Sequence, residues 1–152
     1  MGTGDLPFVD EHAVEVAATP ARAWDAVREV LGGTFRGRAT ELIARLLGAA
    51  HTHSSGDPGE AGSAFAGFVV AGADPPVELT LEGEHRFSRY ALIVRIDPLA
   101  QRACRVRAET RAVFPGLRGR LYRAAVIGTG AHVLVVNRLL RAIRGRAEHP
   151  LP

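Results

Sequence analysis

At 152 residues, with 47% hydrophobic side chains and a mean hydropathy of +0.05, the chain has the length and composition of one compact domain spanning 1–152 with room for a sizeable core. Its net charge of +3 comes from arginine alone, since the sequence has no lysine, and aromatics at 6% are too sparse for the interleaved basic and aromatic pattern of a nucleic-acid surface. The single Cys104 excludes an intramolecular disulfide framework and a C-x-x-C zinc site, the longest nearly apolar run (124–136) is too short to span a bilayer, and the first residues lack a basic-then-apolar leader, so a soluble cytoplasmic protein is expected.

Residues 8–17 alternate, with His12, Val14 and Val16 on one face against Glu11, Ala13 and Glu15, which predicts a first strand. Thr19-Pro20 then reads as an N-cap followed by the first helical residue, and Ala23, Trp24, Val27, Val30 and Leu31 share a helical face. Gly32-Gly33 is expected to end this helix. A second short helix follows, ATELIARLL, with Leu42, Ile43, Leu46 and Leu47 expected inward and Gly48 as its stop. Residues 49–63 are rich in Gly, Ser and Pro and have no apolar period, so they read as a loop.

Four closely spaced strands come next. They run over 64–72, which carries Phe68, then Val77 to Glu84, then Ser88 to Asp97, and after an Asp97-Pro98 turn a last strand up to Phe114. Tyr90, Leu92, Val94 and Ile96 share one face of the third. The fourth alternates most cleanly: Cys104, Val106, Ala108, Thr110, Ala112 and Phe114 oppose Arg105, Arg107, Glu109 and Arg111, the pattern of an antiparallel sheet wet on one side. Pro115-Gly116 breaks the strand, and one long helix is predicted from there to Glu148. The element order implies an α+β fold in which a curved antiparallel sheet wraps around the C-terminal helix, with two short helices after the first strand.

The order of elements, with T-P-A-R-A-W-D-A-V after the first strand and F-P-G-L-R-G-R-L-Y opening the last helix, resembles the START-like (SRPBCC) superfamily of polyketide cyclases and plant pollen allergens. The resemblance covers nearly the whole chain and implies a helix-grip fold around an internal cavity for lipids, sterols, polyketides or hormones. Gly119, Arg120, Tyr122 and His132 are similar to the G-R-x-Y segment and mid-helix histidine of a bacterial branch that has no assigned catalytic residues, so none is transferred.

On the last helix, Leu121, Ala125, Gly128, His132, Val135, Leu139 and Ile143 fall near one line at 100° per residue. His132 reads either as a cavity donor or general acid/base, or as a buried histidine hydrogen-bonded to the sheet at Thr110 or Tyr90. Gly128 and Gly130 each cost about 1 kcal/mol in a helix, which space for a ligand, a local kink or close packing would offset. Val126, Ile127, Val133 and Leu134 face outward on this wheel and suggest covering elements or a homodimer contact. His85 and Arg86 sit at a hairpin turn, as a cavity rim or as solvated residues. The pair His51 and His53 lacks a third metal ligand in sequence, Glu78, Glu82 and Glu84 read as a solvated face, and G-T-G at 128–130 is mid-helix rather than a dinucleotide fingerprint. No nucleophile elbow, phosphate loop or triad spacing occurs, and no metal or cofactor is expected.

The expectation is therefore a protein that binds a small hydrophobic ligand, lipid- or polyketide-like, between sheet and helix. Trp24, Phe68, Tyr90, Leu92, Val106, Thr110, Phe114, Tyr122, Gly128 and His132 are the candidate lining residues. The alternatives are a polyketide cyclase or dehydratase using His132 as acid/base with Tyr90, Tyr122 or Thr110 as donors, and a dimerising interaction protein.

Overall fold

A computed structural model describes residues 2–150 and residue 152. In chain order it contains β1 (Phe8–Val16), α1 (Pro20–Phe35), α2 (Arg38–Leu47), β2 (Ala64–Phe65), β3 (Phe68–Asp74), β4 (Glu78–His85), β5 (Ser88–Ala100), β6 (Ala103–Val113), α3 (Gly116–Arg123), a π-helical turn (Ala124–Gly128) and α4 (Ala131–Glu148). The strands form one six-stranded sheet in the order β1-β6-β5-β4-β3-β2, every neighbouring pair antiparallel. This is the predicted α+β helix-grip arrangement, with the long C-terminal helical segment lying on the inner face.

Each helix starts where its sequence dictates and ends less predictably. The Thr19 hydroxyl accepts from the Arg22 N–H, and Pro20 fills the first position of α1. Gly32-Gly33 does not end α1, which continues to Phe35. Glycine is tolerated there because a β-carbon on Gly32 would stand 3.3 Å from the Pro58 ring, so the loop packs closely on the helix. The same loop is tied to α1 by Arg28, whose Nε donates to Asp57 Oδ1 at 2.9 Å. Gly48, at φ 68°, stops α2 as expected. The inward assignment of α2 holds only in part, however: Leu47 is half-buried, while Leu42, Ile43 and Leu46 are all more than half exposed, and Ala44 is the buried residue. The helix sits at the edge of the molecule, where only one narrow stripe finds anything to pack against.

Two strand boundaries also differ. The predicted strand 64–72 is split at Gly67, whose φ of 88° turns the chain between β2 and β3. Asp97-Pro98 makes no turn. Strand β5 runs on to Ala100, and the reversal falls at Gln101 and Arg102.

The inner sheet face and the helices enclose the core in two unlike halves. Trp24, Val27 and Leu31 of α1, Val94, Ile96, Cys104 and Val106 of the sheet, and Leu140 and Ile143 of α4 form a filled apolar cluster. The half nearer Tyr90, Thr110 and Ala112 is hollow. The outer face is less wet than its alternation suggests, since Ala91, Ile93 and Glu109 are buried there. The N-terminal segment crosses this face, with the Thr3 hydroxyl donating to Glu82 and Arg111 donating to the Leu6 carbonyl at 3.1 Å. Beneath it Glu109 lies between Arg95 and Arg111. Burial alone would raise the Glu109 carboxyl, but the two guanidinium hydrogen bonds outweigh it and hold the group below the ordinary carboxylate range.

The predicted single C-terminal helix is broken. Its two parts meet at an angle of 51°, with Gly130 at φ 77° serving as the end of the first and the N-cap of the second. Among the described residues no single helix is long and apolar enough to cross a membrane.

Candidate functional site

The hollow half is a cavity of about 290 Å³. Its floor is the inner face of β5 and β6, represented by Tyr90, Leu92, Thr110 and Ala112, and Phe68 of β3 adds one wall. Phe35 reaches it because α1 runs past its glycines, and Ile43 and Leu47 of α2 border it. On the helical side stand Tyr122, Val126, Ile127, His132, Val136 and Leu139.

The structure thus gathers seven of the ten candidate lining residues, Phe68, Tyr90, Leu92, Thr110, Phe114, Tyr122 and His132, around one space. Trp24 and Val106 belong instead to the filled core, and Gly128 borders nothing: a β-carbon there would meet no atom within 4 Å. Leu121, placed on the inner line of the helical wheel, is 65% exposed, whereas Val126 and Ile127, placed outward, face the cavity. The π turn accounts for the exchange, because the residue it adds to a helical turn shifts the phase of everything before it.

Aromatic rings run along the wall in alternating tilted and edge contacts. Phe35 and Phe68 have centroids 4.9 Å apart, Phe68 and Tyr90 5.1 Å, Tyr90 and His85 5.3 Å, and His85 and Tyr122 4.8 Å. Tyr122 also stacks on Phe87 at 5.5 Å. The Tyr90 hydroxyl donates to the Gly67 carbonyl at 2.5 Å, so it pins the β2–β3 corner and is not offered to a ligand. Burial raises the pKa of this phenol, with the neighbouring Tyr122 adding to the effect. The Tyr122 hydroxyl makes no hydrogen bond among the described residues, and burial raises it also.

His85 is not a solvated turn residue. It is half-buried against Tyr122, its Nδ1 accepts from the Phe87 N–H at 3.2 Å, and burial lowers its pKa. The hydrogen bond fixes the Nε2–H tautomer. Because the folded-state value lies below the unfolded value of about 6.5, the unfolded chain takes up a proton first as pH falls. Stability carried by neutral His85 is therefore complete above pH ~6.5 and declines below it until the folded-state value is passed. Melting temperatures at pH 7.5 and pH 5.5 should differ more for the wild type than for His85→Phe; equal differences would show that His85 is not held neutral.

At the boundary between hollow and filled halves lies a second polar group. His132 Nε2 is 3.2 Å from Asp10 Oδ1 and 3.1 Å from Thr110 Oγ1, and the other Asp10 oxygen is 3.1 Å from His12 Nε2. Thr110 is one of the two sheet partners anticipated for His132; Tyr90, the other, is engaged with Gly67. Asp10 was missed, although it continues the alternation of His12, Val14 and Val16 by one step. The pair His51 and His53 gathers no third ligand, and among the described residues no group of three or more His, Cys, Asp or Glu side chains is placed to hold a metal ion. The outward carboxylates are occupied in part, Glu78 by Arg95 at 2.9 Å and Glu82 by Thr3.

A sheet closed by helices over a hollow inner face is a helix-grip fold, and solved structures of low sequence identity share it. Among them are the Zhui aromatase/cyclase from a Streptomyces species, at TM-score 0.59 and 17% identity over 94% of each chain, and a truncated norcoclaurine synthase from Thalictrum flavum, at TM-score 0.56 and 14% identity over 95% of this chain and 98% of that one. A conserved protein from Geobacillus kaustophilus is similar at TM-score 0.54 and 12% identity, over 90% of this chain and 93% of that one. No protein-family model and no curated protein matches the sequence.

Proposed function

We propose that the protein binds a small, ring-bearing apolar molecule in the cavity between the sheet and the C-terminal helices. The observation that carries this reading is where the aromatic residues lie. Of the nine Phe, Tyr and Trp residues in the chain, Phe35, Phe68, Tyr90, Phe114 and Tyr122 border the cavity. A domain this poor in aromatics would use them to fill its core if packing were their only purpose. Tilted and edge-to-face rings around a space of about 290 Å³ suit a flat molecule that can slot between them, and the volume lies at the small end of ligand cavities. An aromatase/cyclase and a norcoclaurine synthase among the similar structures accord with a small organic ligand.

An acid–base enzyme is the competing reading, and it needs two titratable groups within reach of one atom. The His132 station lies at Thr110, which pairs with Leu92, while His85 pairs with Ser88. Four residues along β5 separate these positions by about 13 Å. Two polar ends of one apolar slot fit a binding site better than a catalytic pair.

Ala112→Phe tests the binding reading by adding a ring to the cavity floor. Native mass spectrometry and titration with an apolar naphthalene-type fluorophore should show a ligand in the wild type and at least about tenfold weaker binding in the variant, a loss of ~1.4 kcal/mol. Unchanged binding in a folded variant places the ligand elsewhere, and no binding by either protein removes the function proposed.

A further inference from the structure

We infer that Asp10 and His132 make the cavity selective for aromatic molecules carrying an acidic hydroxyl, phenols in the simplest case, with His132 Nδ1 accepting the hydroxyl hydrogen. The inference rests on the ligand-binding reading above and adds the chemistry of the ligand's polar end.

Strand β1 builds this site. A bulge between Phe8 and Asp10 shifts the register, so that Phe8 lies opposite the outward Arg111 and is exposed while Asp10 lies opposite the inward Thr110. The carboxylate is then held by both oxygens, at 3.1 Å from His12 Nε2 and 3.2 Å from His132 Nε2. His132 lines the cavity; Asp10 and His12 stand behind it. A carboxylate can only accept, so the shared proton sits on His132 Nε2 and the Thr110 oxygen at 3.1 Å shares the same N–H. That tautomer leaves a lone pair on Nδ1. Nδ1 has no hydrogen-bond partner among the described residues, and since no fully buried side-chain nitrogen or oxygen lacks a partner there, it is an accessible acceptor.

A carboxylate that accepts from the Nε2–H leaves the opposite ring nitrogen as the acceptor a ligand can use. A phenolic O–H donating to Nδ1 forms a hydrogen bond in which the proton can pass to nitrogen, the electron pair staying on oxygen. The oxyanion then faces an imidazolium whose other N–H is already held by Asp10. A hydrocarbon gains nothing from this arrangement. A ligand that arrives as a carboxylate is opposed by the Asp10 charge behind the ring, and it cannot donate. A neutral phenol suffers neither disadvantage.

The test uses naphthalene, 2-naphthol and 2-naphthoate, titrated separately into the full chain near pH 7. Expected is 2-naphthol binding about tenfold tighter than naphthalene, one charge-assisted hydrogen bond's worth, with naphthoate weakest. In Asp10→Asn the new amide donates to Nε2, reversing the tautomer so that Nδ1 carries the hydrogen; His132→Phe removes the acceptor. Both variants should lose the naphthol preference, read within each protein as the ratio of naphthol to naphthalene affinity. Imidazole 15N shifts of the unliganded protein should show His132 protonated at Nε2 in the wild type and at Nδ1 in Asp10→Asn. Naphthol and naphthalene binding equally to the wild type, a preference that survives Asp10→Asn, or a wild-type Nδ1–H tautomer overturns the inference while leaving the binding reading in place. If naphthalene and naphthol both fail to bind the wild type, the binding reading falls and takes this inference with it.

Discussion

Replacing Ile143 by Ala is expected to destabilise the protein by about 2–5 kcal/mol. Ile143 is fully buried, on the stripe Val136, Leu139, Leu140, Ile143 and Ala147 that joins α4 to the filled core. This stripe is the main apolar attachment of the helix, because the opposite face carries exposed residues such as Arg141, Arg144 and Leu134. Truncation loses the transfer free energy of three carbons and leaves a void that the rigid sheet beneath cannot close. For a chain of this size the change lowers the melting temperature by roughly 4–20 °C. The single Trp24 is buried in the same cluster and outside the cavity, so its fluorescence follows unfolding without interference from ligand. Leu134→Ala is the control. That side chain is 57% exposed, and its loss should stay within about 0.5 kcal/mol. Similar small effects for the two variants would mean that α4 is not held by this stripe.

The same helix shows what a sequence reading can reach. From His132 onward the 100° wheel places Leu139 and Ile143 correctly, since α4 is regular over 18 residues. Extended backward to Leu121, it crosses the π turn and Gly130, and the phase is lost. Glycines at 128 and 130 signalled an irregularity there; its sense depends on where α3 packs, which no local pattern encodes. The strands read better because period two survives from end to end. Strand β6 alternates as expected from Cys104 to Ala112 except that Glu109 is buried on the outer face, and it carries the inner face that forms the cavity floor. Asp10 was within reach of the same rule. His85 was not, because a hairpin-tip residue becomes buried only when a distant segment, here Tyr122 of α3, folds over it. Likewise the amphipathic pattern of α2 marks an apolar side without revealing that the side borders a hollow and leaves Ile43 more than half exposed.

The hollow itself depends on a contact that admits no side chain. Gly83 pairs with Tyr90 across β4 and β5, and a β-carbon added there would lie 2.1 Å from the Gly67 carbonyl oxygen and 2.3 Å from a ring carbon of Tyr90. One of these atoms is backbone, and the ring is held by its own hydrogen bond to the same carbonyl at 2.5 Å. Gly83→Ala must therefore push the β2–β3 corner away or expel the Tyr90 ring, and either movement breaks the Tyr90–Gly67 bond. Overpacking of this kind costs about 1–3 kcal/mol, and loss of the buried hydrogen bond adds about 1 kcal/mol. The cavity should suffer more than the fold. Tyr90 links Phe68 to His85 in the aromatic wall, so its displacement opens the wall on both sides. Ile143→Ala works the other way, weakening the filled half and leaving the cavity walls in place. Binding of a naphthalene-type probe relative to thermal stability separates the two: Gly83→Ala should lose binding at temperatures where it remains folded, whereas Ile143→Ala should bind normally until it melts. A Gly83→Ala protein with wild-type affinity would show that the Tyr90 wall does not shape the site.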